Sequence, residues 1–278
     1  MNEQSEQKDS SVSKQNLISK AILASREKYA ELAKKHSPRP STFEIIKEDQ
    51  VLFYFGANHS PNPDDPQYPL LKEYWNKLLK ETEGKDRMVL IEGGLRHLFD
   101  EEEKAIKNGS EGALITMFAH QEKISIASPD INQVRLIELL PEIPVEEMLL
   151  TRFLSWVDNF HLHRDPKPDF EKSAQSWCEW HNKNKTWKNI DVNLPMLKDL
   201  YKEILGKDFD ENDYFNDMIN PNKTGTRINE ISRAQSNLRD INIVSEIARY
   251  WDAGKSIFVV FGSGHLIVEE SALKEVLK

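Results

Sequence analysis

The sequence predicts an α/β fold: a mostly parallel sheet flanked by helices, with an all-α insertion capping the carboxyl ends of the strands. Three observations predict it. Four short runs, Val51–Phe55, Met88–Ile91, Ile124–Ala127 and Ile257–Phe261, each lead into a polar or glycine-rich turn, and continuous apolarity is what a strand covered on both faces shows. Helical patterns near Tyr68–Glu83, Arg96–Lys107, Gly112–Glu122 and Ile228–Trp251 alternate with those runs, as βαβ units require. Between about Ile131 and Thr226 the strand signal vanishes and only helical periodicity remains.

Taken in order, residues 1–16 are polar, without an apolar stretch or a basic segment before one, and are expected to be a frayed tail and not a signal peptide. Leu17–His36 repeats apolar residues at helical spacing until Ser37-Pro38-Arg39-Pro40 stops it. Thr42–Lys47 is β-branched and aromatic and precedes the first fully apolar strand. Within the insertion, helices are expected near Val145–Phe160, Pro168–Lys185 and Leu194–Leu205. The domain expectation is therefore a core of 17–130 and 226–278 with a helical insertion over 131–225. Four of the six tryptophans, Trp156, Trp177, Trp180 and Trp187, fall in the insertion. Their helical spacing points to core packing, with a substrate-facing aromatic wall as the alternative.

Composition excludes several classes. The single cysteine, Cys178, rules out an intrachain disulfide framework and a thiolate zinc site, and favours a reducing, cytoplasmic compartment. An excess of acid, with a net charge of −9, disfavours a phosphate-binding surface, so nucleic acid is not an expected partner. No apolar run approaches the ~20 residues of a membrane-spanning helix, so no membrane partner is expected either. The length suits one large domain with an insertion. Oligomeric state leaves no mark in the sequence.

The chemistry is expected at the strand ends, where α/β sheets bind ligands. Two G-x-x-H segments, Gly56-Ala57-Asn58-His59 and Gly262-Ser263-Gly264-His265, each follow an apolar strand. Imidazoles there can ligate a metal or exchange protons near neutral pH. Glu92, in Ile91-Glu92-Gly93-Gly94, ends a buried strand, where a carboxylate is costly unless paired, metal-bound or at a cleft. His59, Glu92 and His265 are thus the expected catalytic residues. The same three would form a two-His, one-carboxylate set for a divalent metal, Mn, Co or Zn, or Glu92 would orient one histidine as a general base without metal. Asn58 and Asp130 are expected to meet substrate from the rim, although Asp130 serves equally as a helix cap. Arg239, beside Asp240 in an otherwise apolar stretch of helix, would anchor an anionic group or brace Glu92.

Other signals are weaker. His161-Leu162-His163 ends a helical run and is expected to be a solvated loop. His120 and Glu122 close a helix on the surface. Ser263 lacks the glycine of a nucleophile elbow two positions earlier, and Cys178 is expected to be an inert packed thiol. No phosphate-cradling glycine motif occurs.

Gly56-x-x-His59, Glu92 with its glycines, Arg239 in the penultimate helix and Gly262-x-Gly-His265 together resemble the TraB/Tiki superfamily, with its erythromycin esterase-like and ChaN-like relatives. The resemblance covers about Val51–Asp130 and Ile228–Lys278. It implies an α/β fold with paired halves and a site of two histidines, the glutamate and the arginine. Tiki-like members are metal-dependent peptidases, esterase-like ones are His-based hydrolases, ChaN-like ones bind haem, and TraB members are membrane proteins acting on a peptide pheromone. This chain has no transmembrane tail, and Asp240 stands where many TraB-like sequences have Asn. The expectation is a hydrolase of small-molecule or peptide substrates at ester or peptide bonds. Its alternative is a non-catalytic protein that binds haem, another small ligand or a peptide.

Overall fold

The computed structural model describes residues 23–277 apart from 38, 163–167, 188 and 214. The expected tail over 1–16, the start of the helix expected at Leu17 and His163 lie outside the described residues. Two compact units emerge. The first contains residues 31–130 and 240–278, and the second 25–30 and 131–239.

In the first unit, α1 (Tyr29–Lys35, begun in the second unit's 25–30 segment) precedes β1 (Ser41–Lys47), β2 (Gln50–Ala57), α2 (Gln67–Glu81), β3 (Arg87–Ile91), α3 (Glu102–Gln121) and β4 (Ser125–Ala127). The sheet has the order β1-β2-β5-β3-β4, with β5 spanning Ser256–Gly262. β1 runs antiparallel to β2, while β2, β5, β3 and β4 are parallel. Side chains alternate between faces along a strand, and both faces are covered. Phe53, Phe55, Val89, Ile91, Phe258 and Val260 pack with Leu71, Trp75 and Leu78 of α2 and Leu114, Ile115 and Phe118 of α3. Leu52, Tyr54, Met88, Leu90, Ile257, Val259 and Phe261 pack on the opposite face with the 240–252 half of α9 (Arg227–Asp252) and with α10 (Ser263–Val276). Double coverage is the reason these strands read as unbroken apolar runs.

Two elements differ from expectation. Residues 95–99 have no regular structure, so the helix expected at Arg96 begins at Glu102 and continues to Gln121. It kinks at Gly109-Ser110, where Ser110 takes φ 51° and ψ −145°. The second G-x-x-H is not a free turn but the first turn of α10, with Gly262 at its N-cap.

The second unit is helical. It comprises α4 (Gln133–Leu139), α5 (Val145–Leu162), α6 (Phe170–Lys183), α7 (Leu194–Leu205), α8 (Asn216–Ile219) and the 227–239 half of α9. Its core joins Phe153, Val157, Phe170, Leu197, Tyr201 and Phe215. Trp156 lies 5.8 Å from Phe153 and 6.0 Å from Trp177 between ring centroids, and Trp187 is buried. Packing is therefore the role of three of the four tryptophans; Trp180 is 58% exposed. His161, expected in a solvated loop, is helical and stacks on Phe170. Cys178 is buried, and burial pushes its thiol up to about 11. No helix among the described residues is long and apolar enough to cross a membrane.

Candidate functional site

Parallel pairing brings three strand ends side by side. Ala57 of β2 is in register with Gly262 of β5, and Ile91 of β3 with Val260 of the same strand. His59 and His265, two and three residues beyond their strands, and Glu92, directly after its own, therefore converge although far apart in sequence. Glu92 stands in the middle. Its Oε2 lies 3.2 Å from His59 Nε2, and its Oε1 3.4 Å from His265 Nε2. The backbone N–H of Gly262, at the start of α10, donates to Glu92 Oε2 at 2.7 Å. A carboxylate at a helix N-terminus gains from the unpaired N–H groups there.

Each imidazole is held on its other nitrogen by a second buried carboxylate. His59 Nδ1 is 2.5 Å from Glu111 Oε1, and His265 Nδ1 is 2.6 Å from Asp240 Oδ1. Glu111 opens the second segment of α3, immediately after the strained Ser110. His59 itself is left-handed, with φ 55°, so two non-glycine residues in a costly conformation flank one hydrogen bond. Beyond His265, Glu269 Oε1 lies 3.7 Å from Nδ1, and the Tyr54 hydroxyl donates to Glu269 Oε2 at 2.9 Å. The result is a row of alternating carboxylates and imidazoles across the rim.

These neighbours set the protonation states. Hydrogen bonds donated to Glu111 first and then to Glu92 raise His59 to about 10 despite partial burial. Burial works against the charged form of His265, yet Asp240 and Glu92 outweigh it and lift that histidine to about 10 as well. Burial, and then the charge of Asp240, holds Glu269 well above the usual carboxylate range. The His59 side chain is 50% exposed and that of His265 only 13%, so His59 is the imidazole that solvent and ligands reach.

Space is tight where the rows meet. A methyl group on Gly262 would come within 2.6 Å of His59 Nε2 and 3.3 Å of Glu92 Oε2. Glycine is what lets the two strand ends close on one carboxylate.

The remaining expected residues have contacts of their own. Asp130 accepts from the Gly93 N–H at 2.5 Å, and Ser128 Oγ accepts from Gly94 N–H at 3.0 Å. Together they shape the turn after Glu92. Asn58 is exposed, and its backbone N–H donates to Gln67 Oε1 at 3.0 Å. Arg239 belongs to the second unit, where burial and then the Arg239 charge lower the pKa of Arg152. Ser263 is buried, and its hydroxyl donates to the Gly56 and Ala57 carbonyls at 2.6 and 3.0 Å; it ties α10 to β2.

Sequence reasoning missed Glu111, Asp240 as a histidine partner, Glu269 and Tyr54. The one available signal was the i, i+4 spacing of His265 and Glu269 on a helix, obscured by reading that segment as a turn. Among the described residues, the single set of three potential metal ligands whose donor atoms all lie within 4.8 Å of one another is Asp240, His265 and Glu269. His59 and Glu92 lie outside that set, and Glu92 meets the two imidazoles on separate oxygens. No family model matches the chain, and no curated protein or solved structure matches it.

Proposed function

We infer that the protein is a hydrolase of ester or peptide bonds in which the His59–Glu92–His265 row activates water. The observation that carries the reading is that both imidazoles meet one carboxylate at adjacent strand ends, each backed by a second buried carboxylate. Such a row fixes ring orientation and tautomer, which proton transfer requires. The order of these residues along the chain also fits the TraB/Tiki resemblance and its His-based branch, and among the described residues His59 and Glu92 lie outside the one close set of potential metal ligands.

Half-exposed His59 acts on water. With Nδ1–H donating to Glu111, the ring presents Nε2 as a base on the Glu92 side. That lone pair exists only after the imidazolium has lost its proton. With a pKa of about 10, about one molecule in a thousand holds the free base at neutral pH, and each strongly basic ring compensates in part. His265, on the opposite oxygen of Glu92, balances the charge that Glu92 carries when His59 is neutral.

The test is hydrolysis of a panel of p-nitrophenyl esters, lactones and peptides by the purified protein and by its His59→Ala and Glu92→Gln variants. At least one substrate class is expected to turn over, with kcat falling about 100-fold or more in both variants, the usual contribution of general acid–base catalysis. Turnover that survives both substitutions, or no turnover anywhere on the panel, removes the reading.

A further inference from the structure

Glu269 is fully buried on α10. One of its carboxylate oxygens, Oε2, accepts from the Tyr54 hydroxyl at 2.9 Å; the other, Oε1, has no hydrogen-bond partner. A buried carboxyl oxygen without a good hydrogen bond costs free energy, and this one lies within reach of two further potential ligand atoms. It faces His265 Nδ1 at 3.7 Å, and His265 and Glu269 share one face of α10 because they are four residues apart. Asp240, also fully buried, comes to the same spot from α9, with Oδ1 2.6 Å from His265 Nδ1.

We propose that Asp240, His265 and Glu269 form a buried structural site for one divalent transition-metal ion of the Zn(II) or Mn(II) class, bound by the Asp240 carboxylate, His265 Nδ1 and Glu269 Oε1. Imidazole and carboxylate oxygens together suit such ions. The three donor atoms lie within 4.8 Å of one another. Two of their separations, 2.6 and 3.7 Å, straddle the roughly 3.3 Å that bonds of about 2.0–2.1 Å in tetrahedral geometry impose. The ion opens the Asp240–His265 hydrogen bond and closes the gap to Glu269.

Two of the ligands are braced from behind, as metal ligands are. His265 Nε2 faces Glu92 Oε1 at 3.4 Å, which keeps a proton on Nε2 and turns the Nδ1 lone pair inward. Tyr54 takes up Glu269 Oε2 and leaves Oε1 to the ion. With both carboxylates inaccessible to solvent, the site is closed, and its role is to fasten α9 to α10 beneath the strand ends. The inference does not depend on the hydrolytic reading, with which it shares His265 and its brace Glu92.

The full-length protein, stripped with EDTA, is titrated with Co(II), Zn(II) and Mn(II). Binding is read by cobalt visible absorption and by elemental analysis after gel filtration, so turnover plays no part. One equivalent is expected in the parent and in His59→Ala, and an affinity loss of about 100-fold or more in Glu269→Gln and Asp240→Asn, with far-UV circular dichroism unchanged. Tyr54→Phe, which keeps the packing, is expected to weaken binding about tenfold, and it decides the matter if either isostere fails to fold. Absence of a stoichiometric ion in the parent overturns the proposal. So does unchanged affinity in Glu269→Gln or Tyr54→Phe, and so does loss of the ion in His59→Ala with retention in Asp240→Asn, which would put the metal on the His59 side of Glu92.

Discussion

His59 is governed by its neighbours more than by its own chemistry. Glu111 is the largest influence raising it to about 10, so the free-base form that would take a proton from water becomes common only in alkali. For the parent, kcat/KM is expected to climb about tenfold per pH unit from pH 6 and to level near 10. Glu111→Gln removes that influence and keeps the hydrogen-bonding shape, and its profile should level at least one unit lower; an unmoved profile would show that Glu111 does not set the proton affinity of His59. The sequence made His59, Glu92 and His265 legible because each follows a strand that nothing but a buried sheet explains. Glu111 and Glu269 were not legible. Each is one acid among the 46 of the chain, and what distinguishes it is a partner on another element. Asp130 was visible, but its bond to the Gly93 N–H was not, since a carboxylate near a rim reads the same whichever group it meets.

The kink in α3 is the element that delivers Glu111. Ser110 sits at φ 51° and ψ −145°, a region essentially reserved for glycine, at a cost of about 1–3 kcal/mol. Ser110→Gly should therefore raise stability by about 1 kcal/mol after the entropy of the more flexible unfolded chain is subtracted, seen as a higher urea midpoint. Ser110→Val should lower the midpoint and, by displacing Glu111, reduce any hydrolysis as well. A Ser110→Gly protein less stable than the parent would mean that the serine conformation is not strained. The sequence displayed Arg96–Lys107 and Gly112–Glu122 as two helices with a break between them, and the break is real. What periodicity could not give is that the backbone stays continuous through it, or that α10 begins at the glycine that ends β5, because a strand passing straight into a helix leaves no turn signal.

Taken whole, the chain carries a net charge of −9, and the α/β unit gathers Glu92, Glu111, Asp240 and Glu269 around two imidazoles. Because His265 sits at about 10 when folded, well above its ordinary value of 6.5, its contribution to stability is complete below about pH 6.5 and is lost as pH rises through about 10. His59 acts in the same direction, weakened by solvent screening at its exposed face. In EDTA, the unfolding free energy from urea titrations is expected to fall steadily between pH 7 and 9.5, by about 1.4 kcal/mol per pH unit for His265; a flat or rising free energy would contradict the ion-paired arrangement. The strand order has a separate consequence. β5 lies between β2 and β3, yet it is the last of the five strands to leave the ribosome, after every residue of the second unit. Until then β2 and β3 each present an open ladder edge to the medium around the nascent chain, the situation in which chains pair with their neighbours. Yield during biosynthesis therefore depends on how long those two edges stay shielded, a quantity that no measurement on the finished protein reports.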